Sequence, residues 1–265
     1  MEAAGSLNMT VKIGSVPYLN ARPLVNWFYT DEGRESGIEV IERPPSELAK
    51  MLEADQIDVA LVSSFASFQH PEYAAVPGIS ISGQDEIRSV RAFSRIPFSM
   101  IQSCAMDTSS LTSVAMLTIL LAELYNSHPQ RINLRPNLDE MLSLADAALI
   151  IGDPGMLADG TGLLTLDLGR EWRKLFRLPF VYAMWLGKKD RVTQKLTDAL
   201  TTAKEFGLTQ FEQLALEESL RLDVSFDVCY SYFTDVMDYD LGPQHLEALS
   251  LFERKCRQYG LLSAG

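Results

Sequence analysis

The sequence has few of the residues that build disulfide frameworks, metal centres or nucleic-acid surfaces. It contains 3 cysteines and 3 histidines in 265 residues. Cys104, Cys229 and Cys256 are odd in number, far apart and without a C-x-x-C pair. That pattern excludes a disulfide scaffold or zinc ribbon and fits a reducing compartment. His70, His128 and His245 are equally scattered, none with a second His or Cys at a ligand spacing, so they read as surface or packing residues. Neither a metal nor a cofactor is expected. Positive charge is also short: 23 Lys and Arg against 35 Asp and Glu leave a net charge of −12, with no basic cluster. Nucleic acid and anionic membrane are therefore not expected partners. An anionic ligand would gain no long-range steering and would have to be held by local donors. No apolar run reaches the length of a bilayer span, and Met1 to Thr10 has neither a basic n-region nor an apolar h-region. A cytoplasmic protein is the expectation, and the oligomeric state is left open.

The most informative stretch is Ile13 to Leu24, Ile-Gly-Ser-Val-Pro-Tyr-Leu-Asn-Ala-Arg-Pro-Leu, which joins an apolar strand to a helix. Val11, Ile13 and Val16 suit a buried first strand, and Pro17 ends it because proline has no N–H for the ladder. Tyr18 and Asn20 fall in the turn. Pro23 suits a first helical turn, so a helix is predicted from about Ala21 towards Tyr29 with Asn20 at or near its N-cap. Asn20 has two readings: a cap, or a carboxamide facing ligand at the carboxyl end of a strand.

The rest of the chain alternates strands and helices. Ile38 to Glu42 reads as a strand, and Ser46 as the cap of a helix over Glu47 to Ala54. Asp58-Val-Ala-Leu-Val-Ser-Ser64 is an apolar run ending in two hydroxyls, as a buried parallel strand reaching a cleft would. Ser63 and Ser64 are thus site candidates, or caps of the Phe65 to Phe68 turn. After strands at Ala75 to Ser82 and Ser89 to Ser94, a second unit begins near Ser103. Its long helix opens with Ser109-Ser-Leu-Thr-Ser113, hydroxyls beside unpaired N–H groups that suit a carboxylate or phosphate, one of them serving as N-cap. Asn137 has capping-box spacing to Glu140. Asp146-Ala-Ala-Leu-Ile-Ile-Gly-Asp153 then echoes Asp58 to Ser64, which suggests two similar α/β units presenting strand ends to a shared cleft. Asp153 reads as an acid, a hydrogen-bond acceptor or a helix cap. Phe180 to Gly187 is the returning strand, and the remainder is helical. The last helix carries Leu246, Leu249, Phe252, Cys256 and Tyr259 as a packing stripe. The predicted fold is α/β with two lobes joined by crossing segments Ser89 to Arg95 and Leu178 to Leu186. One lobe is residues 1–91 plus 183–265, the other residues 92–182. Such a hinge closes over small ligands and excludes water.

Several segments together carry a resemblance. They are Ser15-Val-Pro-Tyr-Leu-Asn-Ala-Arg-Pro-Leu24, Asp58 to Ser64, Ile87-Arg-Ser-Val90, Ser110-Leu-Thr-Ser113, Asp146 to Asp153 and Leu178-Pro-Phe-Val-Tyr-Ala-Met-Trp185. In this order they resemble the chorismate dehydratase family of the futalosine route to menaquinone, whose fold is that of type II periplasmic binding proteins. Phe176-Arg177 departs from the family's more usual Thr-Gly, so Arg177 is given no family role. The resemblance implies a hydro-lyase that removes water from chorismate to give 3-[(1-carboxyvinyl)oxy]benzoate. No histidine falls in these motifs and Asn20 cannot usefully take up a proton, so the substrate's own enolpyruvyl carboxylate is expected to remove it while Asn20 and Ser89 orient that carboxylate and the leaving hydroxyl. Ser110, Thr112 and Ser113 are expected to bind a carboxylate, with Tyr18, Ser63, Ser64 and Asp153 completing the pocket. Two alternatives stand beside it: a solute-binding protein, and the related lyase acting on cyclic dehypoxanthine futalosine.

Overall fold

The structure is a computed structural model that describes residues 10–107 and 109–262. The stretch on which the export-signal reading rests lies, apart from Thr10, outside the described residues. Eleven strands are described: β1 (Val11–Ser15), β2 (Ile38–Glu42), β3 (Val59–Ser63), β4 (Tyr73–Gly83), β5 (Val90–Ser94), β6 (Ser103–Asp107), β7 (Gln130–Leu134), β8 (Ala147–Ile151), β9 (Leu164–Asp167), β10 (Phe180–Lys188) and β11 (Met237–Asp238). Among the described residues they form a six-stranded sheet, β11-β4-β10-β3-β1-β2, and a five-stranded sheet, β7-β6-β8-β5-β9.

The two sheets share one plan. In the first, β1 lies parallel to β2 and β3, and β10 runs antiparallel beside β3. In the second, β6 lies parallel to β7 and β8, and β5 runs antiparallel beside β8. The echoed Asp-x-Ala-Leu segments are therefore equivalent strands, β3 and β8. Their leading aspartates do equivalent work. Asp58 accepts the Lys12 N–H at 2.8 Å, at the start of β1. Asp146 accepts the Gln102 and Ser103 N–H groups at 2.8 and 3.0 Å, at the start of β6, and these bonds lower its pKa. Each carboxylate fixes the register of the neighbouring parallel strand, which no tight turn could do.

The chain passes between the sheets twice, at Gln84–Ser89 and at Leu168–Pro179. The expected crossing strands each stay with one sheet: β5 pairs with β8 and β9, and β10 with β3 and β4. A strand with ladders on both sides has its backbone groups satisfied there, so turn and helix residues make the passage. The helix Leu168–Phe176 forms most of the second passage and buries Trp172 completely. Trp172, Phe180 of β10, and Phe252 of the last helix, Pro243–Gln258, pack with ring centroids 4.8–5.9 Å apart. The last helix thus clamps the passage. Its buried face is His245, Ala248, Phe252 and Cys256, whereas Leu246, expected in the stripe, is 55% exposed. Among the described residues no helix is long and apolar enough to cross a membrane.

Two other local expectations change. The third helix runs Pro45–Glu53 with Pro44 at its N-cap and no side-chain cap, so Ser46 lies inside the first turn. Proline presets that turn and leaves one fewer N–H to cap. Asn137, by contrast, accepts the Glu140 N–H at 3.0 Å as its spacing implies.

The helix Gln194–Leu208 packs on the loop-helix segment that follows β1, and the contact depends on Gly207. A Cβ there would lie 1.8 Å from the Pro23 carbonyl oxygen. Gly207→Ala should therefore destabilise the fold by about 1–3 kcal/mol or more, measurable by denaturant unfolding. Asp238, in β11, is half-buried. Burial opposes its ionisation, but His245 Nε2 at 3.0 Å, the Asp240 N–H at 2.9 Å and Gln84 outweigh it and hold the carboxyl at about 2, from an ordinary 3.8. A depressed carboxyl stabilises above its unfolded pKa, and the contribution disappears as pH falls from about 4 to about 2. Urea unfolding between pH 5 and pH 2 should show a loss of stability that is smaller in Asp238→Asn.

Candidate active site

Between the sheets lies a cleft of about 600 Å³, including its open mouth. Its walls are largely aliphatic, with Val16, Leu61, Ile81, Ile87, Val90 and Ile151 from both lobes. Its polar rim brings together six of the candidate residues: Tyr18, Asn20, Ser63, Ser89, Ser110 and Ser113. The equivalent ends of β3 and β8 open onto it, as the repeated plan requires.

The loop after β1 has a tighter form than predicted. Leu19–Ala21 is a 3₁₀ turn, Arg22–Val25 one α-helical turn with Pro23 at its start, and Asn26–Tyr29 a second 3₁₀ turn. Neither of the first two has a side-chain cap, so Asn20 is not the N-cap. Its Oδ1 is buried without a hydrogen-bond partner. A buried carboxamide oxygen left unpaired is costly in a folded protein, and here it lies in a residue of the cleft wall.

The hydroxyls divide into those on the cleft and those behind it. Ser110 caps the Leu111–Tyr125 helix by accepting the Ser113 N–H at 3.2 Å, and its Oγ lies 3.0 Å from Ser113 Oγ. Thr112 N–H donates to Ser63 Oγ across the lobes at 3.0 Å. The N–H groups of Thr112 and Ser113, expected to be open to a ligand, are therefore already engaged. An anion at this helix end would meet hydroxyls rather than those two amides. Thr112 and Ser64 are buried behind the surface. Thr112 Oγ1 hydrogen-bonds Ser63 Oγ, lies 3.3 Å from Ser64 Oγ and accepts the Phe65 N–H at 3.2 Å. Ser64 Oγ donates to the Val181 carbonyl at 2.7 Å. This knot ties the end of β3 to the second-lobe helix.

Asp153 also stands behind the cleft. It neither lines the cavity nor caps a helix: Oδ1 accepts the Leu19 N–H at 2.9 Å, and Oδ2 accepts Arg221 Nη2 at 2.7 Å. Arg221 also reaches Glu218, which contacts Arg22 at 3.0 Å. Burial disfavours the Arg221 charge, but the two carboxylates outweigh it and raise its pKa. Gly152, before Asp153, has φ +65°, and the Tyr18 ring packs 3.4 Å from where its Cβ would be. Burial first, then the Asp107 and Asp153 carboxylates, push the Tyr18 pKa up.

Ser89 is set by its own turn. Asp167 accepts the Ile87 and Arg88 N–H groups at 3.0 and 2.8 Å, and Arg88 adopts φ +61°. That left-handed residue turns the chain so that Ser89 enters the cleft at the start of β5. Ser89 Oγ lies 2.7 Å from the hydroxyl of Tyr232. Tyr232 opens a π-helical turn, Tyr232–Val236, which follows the helix Phe226–Ser231. Tyr182, within the Leu178 to Trp185 segment, adds a ring to the cleft wall that was not among the candidates. Tyr232, behind Ser89, carries no sequence signal beyond membership of a helical segment. Among the described residues no cluster of His, Cys, Asp and Glu is arranged to hold a metal ion.

The chain is similar in sequence to the chorismate dehydratase of Thermus thermophilus, 29% identical over 231 residues that span 80% of this chain and 83% of that protein. Its fold is similar to those of several solved structures. A protein of Archaeoglobus fulgidus superposes with a TM-score of 0.75 at 14% identity, covering 95% of this chain and 98% of the other. A Candida albicans protein described as having the generic periplasmic-binding-protein fold gives 0.66 at 13% identity, covering 97% and 92%. The periplasmic aliphatic sulphonate binding protein of Escherichia coli gives 0.65 at 13% identity, covering 97% and 89%. These establish a two-lobe periplasmic-binding-protein-like fold. The menaquinone biosynthesis family matches residues 11–258, nearly the whole of the two-lobe structure just described, and the chain belongs to that family.

Proposed function

We propose that the protein is a chorismate dehydratase, a hydro-lyase converting chorismate to 3-[(1-carboxyvinyl)oxy]benzoate and water. The observation that carries this reading is the chemistry of the cleft wall. Among its described residues the ionisable side chains are Tyr18 and Tyr182, and burial pushes both pKa values up. The wall offers hydroxyls and a carboxamide, but no group suited to accept a proton near neutral pH.

Dehydration of chorismate suits such a site. The proton at C3 is vinylogous to the ring carboxylate, and departure of the C4 hydroxyl leaves an aromatic ring. The enolpyruvyl carboxylate sits on the C3 oxygen and can remove that proton itself. The C–H electron pair enters the ring as the C4–O bond breaks, and the departing hydroxide combines with the proton as water. The protein's task is then to hold one conformer and exclude water, and positioning supplies the acceleration. In this reading Asn20 orients the enolpyruvyl carboxylate through its amide, and Ser89 donates to the leaving hydroxyl. Ser63, Ser110 and Ser113 receive the ring carboxylate at the positive end of the Leu111–Tyr125 helix. Tyr18 closes one wall. Ser64, Thr112 and Asp153 act behind the cleft by holding the lobes together.

The test is to incubate the purified protein with chorismate, without added metal or cofactor, and follow loss of one water by mass spectrometry against a protein-free control. Enzyme-dependent appearance of the aromatic enolpyruvyl ether is expected. Asn20→Ala and Ser89→Ala should each lower kcat by about 100-fold or more while changing KM little, as loss of transition-state positioning does. Binding of chorismate without turnover would overturn the reading in favour of a solute-binding role. Turnover of cyclic dehypoxanthine futalosine instead would identify the related lyase.

A further inference from the structure

Ser89 has a fixed backbone and a side chain that needs fixing. The Asp167 contacts to Ile87 and Arg88, together with the Ser89 N–H donated to the Ile87 carbonyl at 2.7 Å, determine where its Cβ lies. They leave χ1 undetermined, and a serine hydroxyl has three staggered positions of similar energy. Among the described residues the one hydrogen-bond partner of Ser89 Oγ is the Tyr232 hydroxyl at 2.7 Å. Both side chains are deeply buried, each residue being 2% exposed.

The polarity of this pair follows from its surroundings. Burial drives the Tyr232 pKa far up, so the phenol keeps its proton. A phenol O–H is a stronger acid, and so a better donor, than an aliphatic hydroxyl, and Ser89 Oγ is the acceptor within reach at 2.7 Å. The Ser89 O–H is then directed away from Tyr232 and is available to a ligand. Donors in series polarise one another, so a serine that accepts from a phenol is also the better donor.

We propose that Tyr232 is a positioning residue for the reaction: it selects the Ser89 rotamer and, by donating to Ser89 Oγ, turns the serine into a one-way donor towards the substrate's leaving hydroxyl. The proposal rests on the dehydratase reading for the identity of that group, but the Tyr232–Ser89 pair is a property of the fold. It also gives the π-helical turn a purpose. Wide turns of this kind occur mostly as single insertions at functional sites, and this one brings a residue from the C-terminal helices, 143 positions away, onto the crossing segment.

The experiment is a double-mutant cycle on the full chain with Tyr232→Phe, Ser89→Ala and the pair combined. Tyr232→Phe keeps the ring and removes the hydroxyl. It should lower kcat about tenfold, the worth of one ordinary buried hydrogen bond, with KM within about threefold of wild type. If Tyr232 acts through Ser89, adding Tyr232→Phe to Ser89→Ala costs nothing further. Losses that multiply, or a single variant with wild-type kcat, would overturn the proposal. Tyr239→Phe removes another buried hydroxyl, one without a partner, and should leave kcat unchanged; an equal loss there would show general loosening and overturn it too. A crystal structure of Tyr232→Phe provides a readout independent of turnover. Ser89 should occupy a new rotamer or divide between two, and an unchanged Ser89 would overturn the proposal even if chorismate is not the substrate. Failure of the wild-type protein to dehydrate chorismate would remove the dehydratase reading without touching that structural result.

Discussion

The Asp153 carboxylate is the contact on which the cleft depends. One oxygen accepts from Leu19 in the first lobe and the other from Arg221 in the C-terminal helices, while its own backbone belongs to the second lobe. A short acidic side chain thus joins three parts of the chain at the cleft edge. Its charge is tolerable because Arg221 and a backbone N–H satisfy it, and Glu218 and Arg22 extend the same pairing beneath the loop. Removing Arg221 would leave the buried Asp153 carboxylate without its cation, which is far more destabilising than the net worth of the pair. The Thr112 knot with Ser63, Ser64 and Phe65 does the same work on the opposite rim with neutral groups.

Holding the lobes this way has a chemical consequence. Ser63 apart, the groups that bridge the lobes are pulled behind the surface, and those left on it are the Asn20 carboxamide and the hydroxyls of Ser89, Ser110 and Ser113. A cleft furnished like this can orient and polarise a small anion but has little to offer as acid or base. It suits a reaction whose substrate carries its own base, and it suits ligand capture equally well. The periplasmic-binding-protein-like fold serves both ends, since fold does not fix function. What separates a receptor from a catalyst of this type is how rigidly a few donors are aimed. The strained Arg88, the three N–H groups gathered by Asp167 and the Tyr232 hydroxyl all act to aim Ser89.

Much of this was legible in the sequence because it is local. Buried parallel strands such as Val59–Ser63 and Ala147–Ile151 are short apolar runs that end in polar residues, and the Asp-x-Ala-Leu repeat marked them as equivalents. The Ile13 to Leu24 stretch supplies Val16, Tyr18 and Asn20 to the cleft wall, and six of the nine candidate residues line that one cleft. The expected caps at Asn20 and Ser46 did not form, because a proline-led turn supplies its own geometry and leaves one fewer amide to satisfy. The crossings lay in turns and a helix rather than in strands, because strands with two neighbours stay with their sheet.

By itself the sequence determined the two α/β units and the hydroxyl-rich helix start, since each follows from residues within a few positions of one another. Tertiary structure alone decided which candidates line the cleft and which hold the lobes. It moved Asp153, Thr112 and Ser64 behind the cleft and brought Tyr232 to Ser89. Those pairings span 134 positions for Leu19 and Asp153 and 143 for Ser89 and Tyr232. No periodicity or cap signal extends so far along a chain; only the packing of one lobe against the other brings such groups within hydrogen-bond reach.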